Sequence, residues 1–218
     1  MKNRRKAPDL GEGSLIYLNE ASQFGRLEVW ESPKHRWLQL DGVTQTIQDR
    51  QQPWKLPFPH QKLIARQLDG LKINRILEFG LGGGSFAHYF RHYWPGVEHL
   101  CIEQDPRIIQ CFGEFFDQGT KLSIQQEEAA QFVEHYQGEP FDLILLDIYD
   151  PHDQGQLQWP ERLLDKLSAM SHSKLFINCP DPSAIKMGKL TRILKQQWSQ
   201  VKTERVQGFC NKLIFASR

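Results

Sequence analysis

Cysteine is scarce and scattered in this 218-residue chain: Cys101, Cys111, Cys179 and Cys210 stand apart, and none forms a CxxC pair. That argues against a disulfide framework or a thiolate zinc site, and the expectation is a soluble protein of a reducing cytoplasm. Long hydrophobic runs are also missing. The first residues contain no apolar core of a leader peptide, and nothing approaches the roughly 18 apolar residues of a membrane span, so no membrane association is expected. A surplus of charge is missing too, since 27 Lys and Arg face 26 Asp and Glu. A nucleic-acid partner would therefore need a local patch, and the one basic cluster, Lys2, Arg4, Arg5 and Lys6, reads as a solvated tail. There is no internal repeat and no low-complexity segment. What remains is enough apolar content, 39%, for one sizeable core.

Two textures divide the chain. Between residues 14 and 48, the short alternating runs SLIYL, GRLEVWES and RWLQLDGVTQTI are separated by the turn-like SPKH and DG, which predicts a small antiparallel sheet. From about residue 58, the apolar runs NRILEFG, EHLCIEQ, KLSIQQ, FDLILLDI and KLFINC alternate with helical stretches near 61–69, 85–94, 106–117, 128–137 and 184–197. Strands alternating with helices predict an α/β fold whose sheet is mostly parallel and covered on both faces. The closing QVKTERVQGFCNKLIFASR reads as two strands joined at QG, an antiparallel hairpin at the end of that sheet. QDRQQPWKLPFP is the expected linker, giving a small β domain over 1–55 and a Rossmann-like domain over 56–218.

Chemistry-bearing residues gather where those strands end. RILEF runs into GLGGGS, giving Glu78, Gly80, Gly82 and Gly84 in an ExGxGxG pattern before the helix SFAHYFRHYW. Glycines between a strand and a helix let a ligand approach the backbone, at the sheet edge where open α/β sheets bind. A dinucleotide loop would need Gly or Ala where Ser85 stands, so an adenosylsulfonium donor is favoured over NAD. Glu103 ends the next strand and offers a carboxylate to a ribose; Glu128 after the third strand offers one to an adenine amino group or to its own helix dipole. LILLDIYDP places Asp147 and Asp150 on the same edge, where acids bind or deprotonate a cationic acceptor. His88 and His92 share helical spacing but have no evident third ligand, so no metal is expected.

Five segments in this order resemble the spermidine synthase (aminopropyltransferase) family, itself related to class I methyltransferases. ESPKHRWLQLDGVTQ resembles its N-terminal sheet with an LDGxxQ signature, FPHQKLIA its FSYQEMxA segment, GLGGGS its GGGDGG, IEQDP its xExDP and LLDIYDP its VDSSDP. The resemblance implies a seven-stranded class I methyltransferase-like sheet and a homodimer. It also implies a donor that is S-adenosylmethionine or its decarboxylated form, with a small-molecule amine as acceptor. It further implies that Gln45 and Gln61 touch substrate or cofactor, Glu103 the ribose and Glu128 the adenine, with Asp147 as general base and Asp150 beside it.

Three departures fall on the acceptor and aminopropyl side. The family's loop aspartate is Gly83, its tyrosine is His60 and its neighbouring glutamate is Lys62. Loss of the loop carboxylate removes a repulsion against the carboxylate of S-adenosylmethionine, which tips the expectation toward methyl transfer. Aminopropyl transfer and a non-catalytic nucleoside-binding relative are the alternatives. DIYDP lacks the DPPY-type pattern of nucleic-acid amino-methyltransferases, so no nucleic-acid partner is expected.

Overall fold

A computed structural model of the chain describes residues 10–20, 25–148, 161–180 and 182–218. The first sheet has four antiparallel strands in sequence order: β1 (Ser14–Asn19), β2 (Leu27–Glu31), β3 (His35–Leu40) and β4 (Val43–Asp49). Its β3–β4 turn is made at DG, with Asp41 and Gly42 both at positive φ, as a tight hairpin demands.

After α1 (Pro59–Leu68), the chain alternates through β5 (Arg75–Phe79), α2 (Ser85–Tyr93), β6 (Glu98–Glu103), α3 (Pro106–Cys111), β7 (Ser123–Gln126), α4 (Ala129–His135) and β8 (Phe141–Leu146). It continues with α5 (Glu161–Ala169), β9 (Ser171–Cys179), α6 (Ala184–Leu194), β10 (Gln200–Arg205) and β11 (Lys212–Ser217). The seven strands lie in the order β10-β11-β9-β8-β5-β6-β7. All pairs from β9 to β7 are parallel, while the β10–β11 hairpin adds antiparallel to β9. The expected Rossmann-like sheet and the small antiparallel sheet before it are thus both present. One helix, α5, goes beyond the sequence reading; it buries Leu163, Leu164 and Leu167.

Period-two alternation sends each strand's residues to opposite faces. Leu77, Phe79, Ile144, Leu146, Leu175 and Ile177 join one buried cluster with α4, α5 and α6. Ile76, Leu143, Leu145 and Phe176 face α1 and α2 with Phe86 and Phe90. Near-continuous apolar strands follow from burial on both faces, each fully buried Leu, Ile or Phe contributing about 1.5–3 kcal/mol. No helix among the described residues is long and apolar enough to cross a membrane.

The strand order sets the place for chemistry. From β5 the chain winds outward through β6 and β7, then returns to β8 on the other side of β5. The carboxyl ends of β5 and β8 therefore flank a topological switch point, where a crevice opens because the flanking connections leave in opposite directions. The four-stranded sheet closes one wall of that region. Leu27, Val29, Leu38 and Leu40 pack with Leu81 of the glycine loop and with Ile108, Phe112 and Phe116 after β6.

Candidate active site

The glycine loop is shaped by what surrounds it. Gly80, Gly82 and Gly84 hold positive φ of 92°, 51° and 67°, a region that costs other residues steric strain. Gly84 N–H donates to the Leu81 carbonyl at 2.9 Å, closing the turn just before α2 begins. A Cβ at Gly80 would collide with the Asp147 carbonyl oxygen, so the first glycine lets β5 and β8 meet at the switch point. Gly83 N–H donates to Thr46 Oγ1 of β4 at 2.8 Å. A Cβ there would lie 2.7 Å from Thr46 Cγ2 and 2.9 Å from Phe116 Cδ1. Phe116 reaches this place because α3 widens into a π turn over Phe112–Phe116, with Asp117 N–H on the Phe112 carbonyl at 2.7 Å. Gly83 thus faces packed protein, and the space for a side chain at this position is filled.

Glu103 ends β6 directly beside the loop. Its Oε2 accepts from Leu81 N–H at 3.1 Å and its Oε1 from Asp105 N–H at 2.9 Å. Only 8% exposed, its carboxyl is pushed above the ordinary range by burial, against the pull of those amides. Each oxygen keeps a lone pair, enough for two further donors such as ribose hydroxyls. Asp105 next to it caps α3, accepting from Arg107 N–H at 2.9 Å, and pairs with the Arg107 guanidinium, which also donates to the Gly25 carbonyl at 2.8 Å.

Other residues expected to touch a ligand are engaged elsewhere. Glu128 caps α4, its Oε1 accepting from Ala130 N–H at 3.0 Å and its Oε2 from Gln131 N–H at 2.8 Å. This is the helix-start position the dipole alternative describes, and each oxygen keeps a lone pair. Gln61 is buried, and its Oε1 accepts from Phe58 N–H at 3.4 Å at the start of its own helix. Gln45 donates to the Val43 carbonyl at 3.3 Å. Glu78 lies inside the sheet rather than in the crevice, 3% exposed, with Oε2 at 2.9 Å from His99 Nε2. The two atoms are close but out of hydrogen-bonding alignment, and burial raises the Glu78 carboxyl. Glu78 is thus enclosed in this conformation, while Gln61 and Glu128 meet backbone amides at their helix starts.

On the acceptor side, Asp147 follows β8, its N–H on the Phe79 carbonyl at 3.0 Å. Asp147 Oδ1 accepts from Asn178 Nδ2 at 2.7 Å, and Asn178 Oδ1 accepts from Asn211 Nδ2 at 3.0 Å. This chain of amides fixes the carboxylate and leaves Oδ2 directed toward His60, whose Nε2 lies 3.9 Å away. His60 stands in the first turn of α1 with its ring stacked on Phe58, centroids 5.5 Å apart. Burial lowers the imidazole's affinity for a proton, and Asp147 opposes that in part. Lys62 points to solvent. Asp150 lies outside the described residues. Asn178 and Asn211 were not singled out in the sequence, although Asn178 ends a parallel strand on the same edge as Asp147.

The two helical histidines have structural partners. His88 Nε2, Gln48 Nε2 and the Phe116 carbonyl lie 2.9 Å from one another, and His92 stacks on Trp54 at 4.3 Å.

No family model matches the chain. Among curated proteins, it is 33% identical over 78 residues to the polyamine aminopropyltransferase of Chromobacterium violaceum, covering 34% of this chain and 30% of that protein. It is 25% identical over 145 residues to the polyamine aminopropyltransferase of Clostridioides difficile, covering 62% and 49%. The matches thus span about half or less of those relatives. Among solved structures, a probable spermidine synthase from Corynebacterium glutamicum superposes with a TM-score of 0.77 at 16% identity, over 95% of this chain and 80% of that one. A spermidine synthase in complex with the transition state analogue AdoDATO gives 0.67 at 22% identity, over 93% and 73%. Human methyltransferase-like protein 13 in complex with SAH gives 0.62 at 17% identity, over 72% and 81%. In sequence the chain is similar to polyamine aminopropyltransferases over part of its length, and its fold is similar to that of spermidine synthases and of methyltransferases.

Proposed function

We propose that the chain transfers an aminopropyl group from decarboxylated S-adenosylmethionine to the nitrogen of a small aliphatic amine. The observation that carries this reading is the meeting of two unlike halves at one switch point. The glycine loop with Glu103 suits a neutral nucleoside with ribose hydroxyls, and Asp147, fixed through Oδ1, offers its other oxygen to a cation. In this reading Glu103 accepts the ribose hydroxyls, and the loop backbone of Gly80, Gly82 and Gly84 lies along the donor. Asp147 binds the acceptor's ammonium and holds it where a general base, the carboxylate or a group beside it, takes its proton. An aliphatic amine has a pKa near 10.4, so freeing the nucleophile at pH 7 costs about 4–5 kcal/mol, and a base at the nitrogen assists by accepting the proton as the C–N bond forms. The nitrogen lone pair then displaces the sulfur from the adjacent carbon. A C–N bond forms as the C–S bond breaks, and the sulfonium becomes the neutral thioether methylthioadenosine.

Methyl transfer from S-adenosylmethionine is the second reading, favoured by Gly83, which leaves the loop without a carboxylate to repel that donor. Its weight is reduced by the packing of Thr46 and Phe116 around Gly83, which by itself calls for glycine. The names of the curated relatives also favour aminopropyl transfer. We carry with the first reading a homodimer in the cytoplasm, a 1–55 domain walling the donor site of a 56–218 domain, and no resident metal.

The test is turnover with each donor in turn and a panel of aliphatic mono- and diamines, read by mass spectrometry. Methylthioadenosine and an amine heavier by one aminopropyl group are expected. S-Adenosylhomocysteine and a methylated amine would replace this reading with methyl transfer. Absence of both, with methylthioadenosine still bound in calorimetry, would leave a nucleoside-binding protein without this activity.

A further inference from the structure

We propose that His60 is a second catalytic residue, holding the acceptor nitrogen jointly with Asp147 and taking up the proton that this nitrogen loses. The inference deepens the transfer reading and rests on it. Asp147 Oδ2 and His60 Nε2 are 3.9 Å apart, too far for a direct hydrogen bond and too close for a side chain between them. One nitrogen at about 2.8 Å from each atom fits that gap, with an angle near 90° at the nitrogen. Neither partner is free to swing away. Asp147 is held through Asn178 and Asn211, and the His60 ring lies on Phe58.

The two groups differ as proton acceptors. A neutral imidazole with Nε2 unprotonated presents a lone pair on the side that faces the carboxylate's Oδ2. A proton that passes from the ammonium to Nε2 makes an imidazolium 3.9 Å from Asp147 Oδ2, where the carboxylate steadies it. In balance, the ammonium loses one proton to His60 Nε2 and the freed lone pair forms the C–N bond as C–S breaks. The product leaves as a secondary ammonium, and His60 returns its proton to solvent through the 13% of its side chain that is exposed. Burial keeps His60 neutral, and so ready to accept, across the neutral range. Among the described residues, the charged and titratable groups around the pair are Glu78 on β5, Cys179 on β9 with Lys212 beyond it on β11, and Lys62, turned to solvent on α1.

The experiment compares wild type with His60→Gln and His60→Ala by steady-state transfer between pH 5 and 9, with calorimetry of methylthioadenosine as a check on fold and donor site. Donor affinity is expected to stay within threefold in both variants. In wild type, kcat is expected to fall as pH drops through a pKa below 6.5, because protonated His60 accepts nothing. His60→Gln should lower kcat about a hundredfold and lose that acid limb, and added imidazole should restore part of the rate of His60→Ala. A His60→Gln enzyme within threefold of wild-type kcat, with the same acid limb, overturns the proposal while leaving the transfer reading intact. A wild type that binds methylthioadenosine but transfers from neither donor removes both.

Discussion

Replacing Glu103 by Gln separates two demands that this side chain meets at once. The carboxylate accepts from Leu81 N–H at 3.1 Å and from Asp105 N–H at 2.9 Å. Gln keeps the shape, yet it has one oxygen, so its NH2 must face one of those two N–H groups. One charge-assisted bond becomes a donor–donor contact, a loss of about 1.5–3 kcal/mol. The ribose hydroxyls lose an acceptor at the same atom, so methylthioadenosine affinity should fall roughly tenfold to a hundredfold. Stability carries an opposite contribution. Burial raises the carboxyl in the folded state above the ordinary 4.5, so the folded protein binds the proton more tightly than the unfolded chain does. Stability from this group is then largest below 4.5 and declines as pH rises through the raised folded value. Gln has no such decline. Calorimetry at pH 7.5 and thermal unfolding from pH 4.5 to 8 measure both effects, with the variant gaining on wild type as pH rises. Unchanged affinity would refute the ribose assignment, and a variant whose stability follows wild type at every pH would refute the buried-charge argument.

Two further substitutions probe the crevice. Asp147→Asn can keep the bond from Asn178 by turning its amide oxygen to that side, so the fold and donor binding should persist while turnover falls about a hundredfold or more; turnover within threefold would show that no proton leaves at this position. Gly80→Ala must displace the Asp147 carbonyl and hold alanine at φ 92°, so unfolding experiments should find it destabilised by more than about 1 kcal/mol, whereas a neutral effect would mean that the ends of β5 and β8 yield easily.

Much of this arrangement was readable in the chain because its signals are local. Apolar runs ending in Gly80, Glu103 and Asp147 mark strand ends, and a mostly parallel sheet brings all strand ends of one sense to one edge. The helix α5 carried a visible stripe in Leu163, Leu164 and Leu167, but it follows the turn-rich DIYDPHDQGQLQWP, which drew attention to chain reversal instead. Side-chain destinations were less readable. Gln61 and Glu128 stand where a helix begins, and the nearest unpaired amides there belong to the backbone one turn away, which short polar reach satisfies first. The partner of Glu78 is His99, brought beside it by the β5–β6 pairing that sets Ile76 opposite His99 and Glu78 opposite Cys101. Asn211 meets Asn178 only because β11 runs antiparallel to β9, with Leu213 opposite Asn178. Such meetings depend on strand order and register, which motif spacing does not encode. Gly83 shows the same limit from the other side: as a missing aspartate it spoke of donor choice, while in the fold it answers to Thr46 and Phe116.

Thr46 carries a consequence for how this protein could be cut or recombined. Its hydroxyl, supplied by the four-stranded sheet, is the acceptor for a glycine-loop amide, and two residues on Gln48 meets the Phe116 carbonyl at 2.9 Å. The small sheet is therefore not an ornament on a self-sufficient nucleotide-binding core. Severed near residue 55, the larger fragment would keep every strand of its sheet yet lose the Thr46 acceptor of the Gly83 loop amide and one of the two side chains at the Phe116 carbonyl. Intact chains should melt in one cooperative step, and shuffling this segment between relatives should preserve donor recognition only where the incoming strand brings a hydroxyl to the same place.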